Sequence, residues 1–124
     1  MSEQEDHDPL FSLFKMGVSI HNLNKKTEKK LGLSLVQWCL LKRLIDLPAA
    51  SASSLADAVG VHPSTLTQTL RRLGRKGFIY VAEDPKDSRK KAISITRSGR
   101  DILQTSTRDM ISWSKDLLVS VQSS

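Results

Sequence analysis

The chain holds a single cysteine, Cys39, so it cannot close an internal disulfide, which agrees with a reducing compartment. It has no long apolar run, and its N-terminus is acidic rather than basic; neither a membrane span nor a signal peptide is expected, and the cytoplasm is the expected location. Catalytic signatures are missing too. His7, His21 and His62 lie far apart, and no CxxC, HExxH, GxSxG or phosphate-loop motif occurs, so neither an enzyme nor a bound metal or cofactor is expected. The tract Glu5 to Asp8 lacks a second ligand cluster and reads as solvated chain. No internal repeat of fixed period is present. Acidic side chains are also in short supply, 13 against 19 lysines and arginines, a net charge of +6.

That excess is local. From Arg71 to Arg100 there are ten basic residues against three acidic ones, a net of +7, so the rest of the chain is close to neutral. A concentrated positive field on a domain of 124 residues favours a polyanionic partner. Nucleic acid fits better than a membrane surface, because no basic amphipathic helix with an exposed apolar face accompanies the charge.

Around this segment the hydrophobic periodicity is helical. Leu55, Ala56 and Val59 recur as one buried face, and Gly60 ends that helix. Pro63 restarts the chain, and Leu66, Leu70 and Leu73 stack on one side with Gly77 in the same quadrant. Ser64, Gln68, Arg71 and Arg75 fall roughly opposite, a polar and basic face suited to base edges and phosphates. Two short helices joined by a tight turn make a helix-turn-helix. The period then changes to two. Ile79 and Val81 can face Ile93 and Ile95 in a β-hairpin whose charged tip, Glu83 to Lys91, carries Arg89, Lys90 and Lys91. A hairpin directly after a recognition helix reads as a wing whose cations meet phosphates or the minor groove.

The flanks are helical as well. Asp8 and Pro9 open a helix whose stripe of Leu10, Leu13, Phe14, Gly17, Val18, Ile20 and Leu23 is too broad to be hidden by a small domain, so a partner subunit is expected. Ser34 and Gln37 form a capping-box signature for a helix ending at Pro48, with Leu35, Trp38, Leu41, Leu44 and Ile45 as its buried face. Cys39 sits in it as a small hydrophobe rather than a redox sensor. Ser51 is the expected cap of the helix that ends at Gly60, and Thr96 caps a last helix with Gly99 in its opening turn. The expected architecture is mainly α with a small β-hairpin wing: a mobile acidic segment over 1–8, an N-terminal dimerisation helix over 9–32, a winged helix-turn-helix over 33–96, and a C-terminal dimerisation helix with a frayed end over 97–124.

Several motifs resemble one family. Gln37-Trp38-Cys39-Leu40-Leu41, Leu55-Ala56, Pro63-Ser64-Thr65-Leu66-Thr67, Leu73 with Gly77, Asp87-Ser88-Arg89 and Thr96-Arg97-Ser98-Gly99-Arg100 are similar, in order and spacing, to the multiple-antibiotic-resistance regulator (MarR) family. The resemblance covers Leu33 to Leu103 closely. It implies a homodimeric winged helix-turn-helix regulator, a repressor, that binds double-stranded DNA at a pseudo-palindromic operator and is released by a small-molecule effector. It assigns DNA contacts to Ser64, Thr65, Thr67, Gln68, Arg71 and Arg72, the wing-tip arginine to Arg89 and its acidic support to Asp87. Arg75 joins them by its place on the polar face of the same helix, and Lys90 and Lys91 by their place on the wing. Met16, His21 and Trp38 are the candidate effector-pocket residues. Two departures stand out: His62 takes the place of a serine-like cap, and the chain after Thr96 fits one long helix instead of a pair. The alternative function is a winged helix used for protein contact within a larger assembly.

Overall fold

A computed structural model describes residues 8–122; the side chains of Asp84, Ser88 and Arg89 lie outside the described set. The acidic segment expected to be mobile therefore falls almost wholly outside it. In chain order the elements are α1 (Pro9–Leu31), α2 (Leu35–Asp46), α3 (Ala52–Val59), α4 (Pro63–Arg75), β1 (Ile79–Asp84), β2 (Asp87–Ile95) and α5 (Arg97–Gln122).

Each helix begins at a side chain that satisfies otherwise orphaned N–H groups. Asp8 accepts from the Leu10 and Phe11 amides ahead of Pro9. Ser34 and Gln37 form the reciprocal capping box, each side chain accepting from the other's backbone amide at 3.1 and 2.9 Å. Ser51 accepts from Ser54, and the Thr96 hydroxyl accepts from the Gly99 amide while donating to the Gly77 carbonyl at 2.6 Å.

The core lies where α2, α3, α4, the base of the hairpin and the start of α5 meet. Leu33, Leu40, Leu41, Leu44, Leu55, Leu66 and Leu73 are fully buried there, joined by Ile79, Ile93, Ile95 and Leu103. On α2 the buried set is Gln37, Leu40, Leu41 and Leu44, an i, i+3, i+4, i+7 face. Ile45, expected inside, is exposed, while Leu35 and Trp38 are half-buried on the neighbouring face toward α5. The apolar residues of α2 spread over more than one face, so periodicity alone left the helix free to rotate by part of a turn.

The hairpin forms with the expected facing residues, but its ladder is longer than expected. β1 and β2 pair antiparallel, with Ile79 opposite Ile95, Val81 opposite Ile93 and Glu83 opposite Lys91, and a register shift at Glu83/Asp84. The ladder thus runs on through the charged stretch and closes at a turn of Pro85 and Lys86, where a loop from Glu83 to Lys91 was expected. Main-chain pairing needs no apolar side chain, and opposite charges directly across a ladder favour it. Ala50 adds a bridge on the far side of β2, accepting from the Ile93 amide at 2.8 Å. Ile93 therefore has neighbours on both sides and is buried, whereas Val81, on the outer strand, is exposed.

Helix α5 packs mainly on α1. Gly99, Leu103, Ser106 and Met110 form its buried line. The Trp38 indole N–H donates to Ser106 Oγ at 2.9 Å, and the buried Thr27 hydroxyl donates to the Leu23 carbonyl at 2.7 Å. The outer halves of both helices are uncovered. Of the α1 stripe only Leu23 is buried, while Leu10, Leu13, Phe14, Val18 and Ile20 are exposed, as are Ile111, Leu118 and Val119 on α5.

Candidate nucleic-acid interface

Between α3 and α4 the chain reverses within three residues. Gly60 takes φ of 77°, a left-handed conformation costly to a residue with a Cβ, and its amide closes α3 on the Ala56 carbonyl at 2.8 Å. Half-buried Val61 anchors the turn, also through the Ala56 carbonyl. His62 then caps α4: its Nδ1 accepts from the Ser64 amide at 3.2 Å and lies 2.9 Å from the Ser64 hydroxyl. A ring nitrogen that accepts from a backbone N–H keeps its lone pair there, so the neutral ring carries its proton on Nε2. Imidazole thus does the work of the expected serine-like cap.

Leu66, Thr69 and Leu73 turn inward on α4, with Leu70 half-buried. Thr69 was missed on the sequence because it is polar; it lies on the Leu66–Leu73 face and hides its hydroxyl by donating to the Thr65 carbonyl at 2.8 Å. Gly77, expected on that quadrant, lies beyond the end of the helix at φ of 79°. Ser64, Thr65, Thr67, Gln68, Arg71, Arg72 and Arg75 are all exposed. The Thr67 hydroxyl donates to the Pro63 carbonyl at 3.0 Å, which leaves its lone pairs facing outward. Among the described residues, Gln68, Arg71, Arg72 and Arg75 engage no side-chain partner, and a planar guanidinium free of carboxylates is available for phosphate or guanine.

Helix α4 passes into β1 through Lys76, Gly77 and Phe78, and the two elements pack together. Lys90 and Lys91 are exposed on β2. Consecutive strand residues point to opposite faces, so the two ammonium groups leave the ribbon on opposite sides. Asp87 is half-buried, whereas the side chain of Arg89, expected at the wing tip with Asp87 beside it, lies outside the described residues.

The three effector-pocket candidates do not converge. Met16 lines a groove between α1 and α5 with Ile20, Leu23 and Leu117, whereas Trp38 lines a different one between α2 and α5 with Cys39, Met110, Ile111 and Lys115. His21 lines neither, because it is exposed on another face of α1. Cys39 is half-buried; burial pushes its thiol above the ordinary value, with Arg43 partly offsetting the effect, as suits packing rather than reactivity. Among the described residues no three His, Cys, Asp or Glu side chains group as a metal site, and no helix is long and apolar enough to cross a membrane.

The MarR family profile matches residues 33–91. The Transcriptional activatory protein BadR of Rhodopseudomonas palustris is 27% identical over 74% of this chain and 54% of its own length. The chain thus spans little more than half the length of that relative. Among solved structures, Sco3205, a MarR family transcriptional regulator from Streptomyces coelicolor in complex with DNA, superposes with a TM-score of 0.83 over 97% of this chain and 76% of that one; at 17% identity the likeness is one of fold. The S. aureus MepR–DNA complex is 27% identical, with a TM-score of 0.72 over 87% of this chain and 81% of that one. A family profile laid over the helix-turn-helix and wing, on a chain that folds along nearly its whole length as these regulators do, gives one conclusion: the winged helix-turn-helix of this chain, residues 33–91, belongs to the MarR family.

Proposed function

We propose that the protein binds double-stranded DNA as a homodimer and regulates transcription from a pseudo-palindromic operator. The observation that carries the reading is the outer face of α4: Gln68, Arg71, Arg72 and Arg75 are exposed and, among the described residues, engage no side-chain partner, next to a hairpin bearing exposed Lys90 and Lys91. Phosphate contacts from Arg72, Arg75, Lys90 and Lys91 supply most of the affinity, and Ser64, Gln68 and Arg71 supply base discrimination. Thr65 and Thr67 complete the face, and Arg89, steadied by Asp87, serves the wing. The MepR–DNA complex and the family's character as DNA-binding regulators support this reading.

Repression follows where the occupied site overlaps a promoter and excludes polymerase. BadR carries the name of an activatory protein, and the sign of regulation is set by where the operator lies, not by the grip on it. For release by an effector, the groove between α2 and α5 is the supporting feature. It encloses about 290 Å³, with Trp38, Met110 and Ile111 for an apolar body and Lys115 for an anionic group. Use of the winged helix for protein contact would call for apolar or acidic side chains on the outer face of α4, and that face is hydroxyl, amide and guanidinium instead.

Titration with mixed-sequence duplex at increasing salt tests the reading. Log affinity should fall linearly with log salt, with a slope of about 0.9 per phosphate neutralised. Absent or salt-independent binding overturns it.

A further inference from the structure

Lys76 is the first residue beyond α4. Its amide bonds to the Arg72 carbonyl at 3.1 Å, and Gly77 turns the chain immediately after it, so its backbone moves with the recognition helix. The side chain reaches elsewhere. Nζ donates to the Gly32 carbonyl at 2.6 Å and to Gln37 Oε1 at 3.2 Å. Gly32 is the left-handed residue that ends α1, and buried Gln37 is the capping-box partner that accepts from the Ser34 amide. One flexible stem thus joins the end of α4 to the end of α1 and the start of α2.

The chemistry of this bridge is matched. A helix C-terminus presents carbonyls carrying partial negative charge, and an ammonium offers three donors together with a full positive charge. Among the described residues, Lys76 makes both side-chain hydrogen bonds between the end of α4 and this junction. Helix α1 packs chiefly on α5 and carries the exposed apolar stripe, whereas α4 carries the basic face. The angle between them therefore fixes how far apart two recognition helices stand when two copies meet through α1 and α5.

We propose that Lys76 is a positioning residue, a link between the recognition helix and the α1–α2 junction that sets the separation of the two recognition helices in the dimer. The proposal rests on the DNA-binding reading above. Its test uses the full chain, a duplex that the wild-type protein selects from a random-sequence pool, the same duplex with its half-sites moved by one or two base pairs, and a single half-site. Lys76→Met keeps the stem and removes the charge. It should bind the selected duplex about tenfold more weakly, flatten the preference among spacings, and leave half-site affinity and the salt slope unchanged. Lys76→Arg, which keeps the donors, should retain the spacing preference. A salt slope lower by about 0.9 would make Lys76 a phosphate contact, and equal losses on half-site and full duplex would make it a general stabiliser; either result overturns the proposal. So does wild-type behaviour of Lys76→Met. If the wild-type protein selects no duplex at all, the DNA-binding reading itself falls.

Discussion

Gly99 shows how closely one residue can govern the join between the wing and the last helix. A Cβ built there would run into the Phe78 carbonyl and come within 2.6 Å of Ile95 Cγ1. The first of these is backbone, already engaged by the Thr96 amide at 3.0 Å, and cannot swing aside as a flexible side chain would. Gly99→Ala should therefore destabilise the protein by about 1 to 3 kcal/mol despite alanine's better helix propensity. Urea denaturation checks this, and an unchanged or raised midpoint would show that the wing base can yield. His62 illustrates a different residue-scale solution, in which a ring nitrogen supplies the acceptor that a hydroxyl normally gives.

On the proposed reading, helix α4 and the hairpin divide their labour by geometry. A helix lying in a major groove brings a side chain such as Gln68 to base edges, whereas a ribbon projecting beside it meets the phosphate chain. Gln68→Ala should relax preference at one or two base pairs and cost about 1 to 3 kcal/mol against the selected site only. Lys90→Ala should weaken every sequence alike and lower the salt slope by about one. Binding across a panel of mutated sites distinguishes the two, and equal losses on all sequences for both variants would refute the division. Because Lys90 and Lys91 leave the ribbon on opposite sides, Lys91→Ala should not reproduce the effect of Lys90→Ala in full.

At the scale of the molecule the dominant feature is apolar surface left uncovered. Leu10, Leu13, Phe14 and Ile20 on α1, with Leu118 and Val119 on α5, are more exposed than a monomer in water favours. Burying one such side chain gains about 1.5 to 3 kcal/mol, so a second copy meeting this surface would be held by several such gains. Leu13 is 64% exposed and contributes nothing to the core. Leu13→Glu should therefore leave the fold intact while shifting the sedimenting species from a dimer to a 13.8 kDa monomer. Affinity for a two-half-site duplex should then drop at least about a hundredfold, because the second contact no longer follows from the first. A monomeric wild-type protein, or a Leu13→Glu protein that stays dimeric, would show that this surface serves something else.

Local chemistry was legible in the amino-acid sequence wherever it acts over a few residues. Asp8, Ser34, Ser51 and Thr96 begin helices because a short oxygen-bearing side chain meets orphaned amides within three residues, and Gly60 ends one because φ is positive there. The polar face of α4 could be read in the same way, since a 100° step places Gln68 and Arg71 opposite Leu66 and Leu73 whatever surrounds them. Tertiary structure decided the rest. It chose Leu40 over Ile45, buried Thr69 and Ile93 while leaving Val81 out, and separated Met16 and His21 from Trp38. It also carried Lys76 to Gly32, 44 residues earlier in the chain. The reason is common to all of these: burial, strand pairing and long-range hydrogen bonds depend on which element stands opposite, and a periodic pattern records only that a face exists, not what it meets.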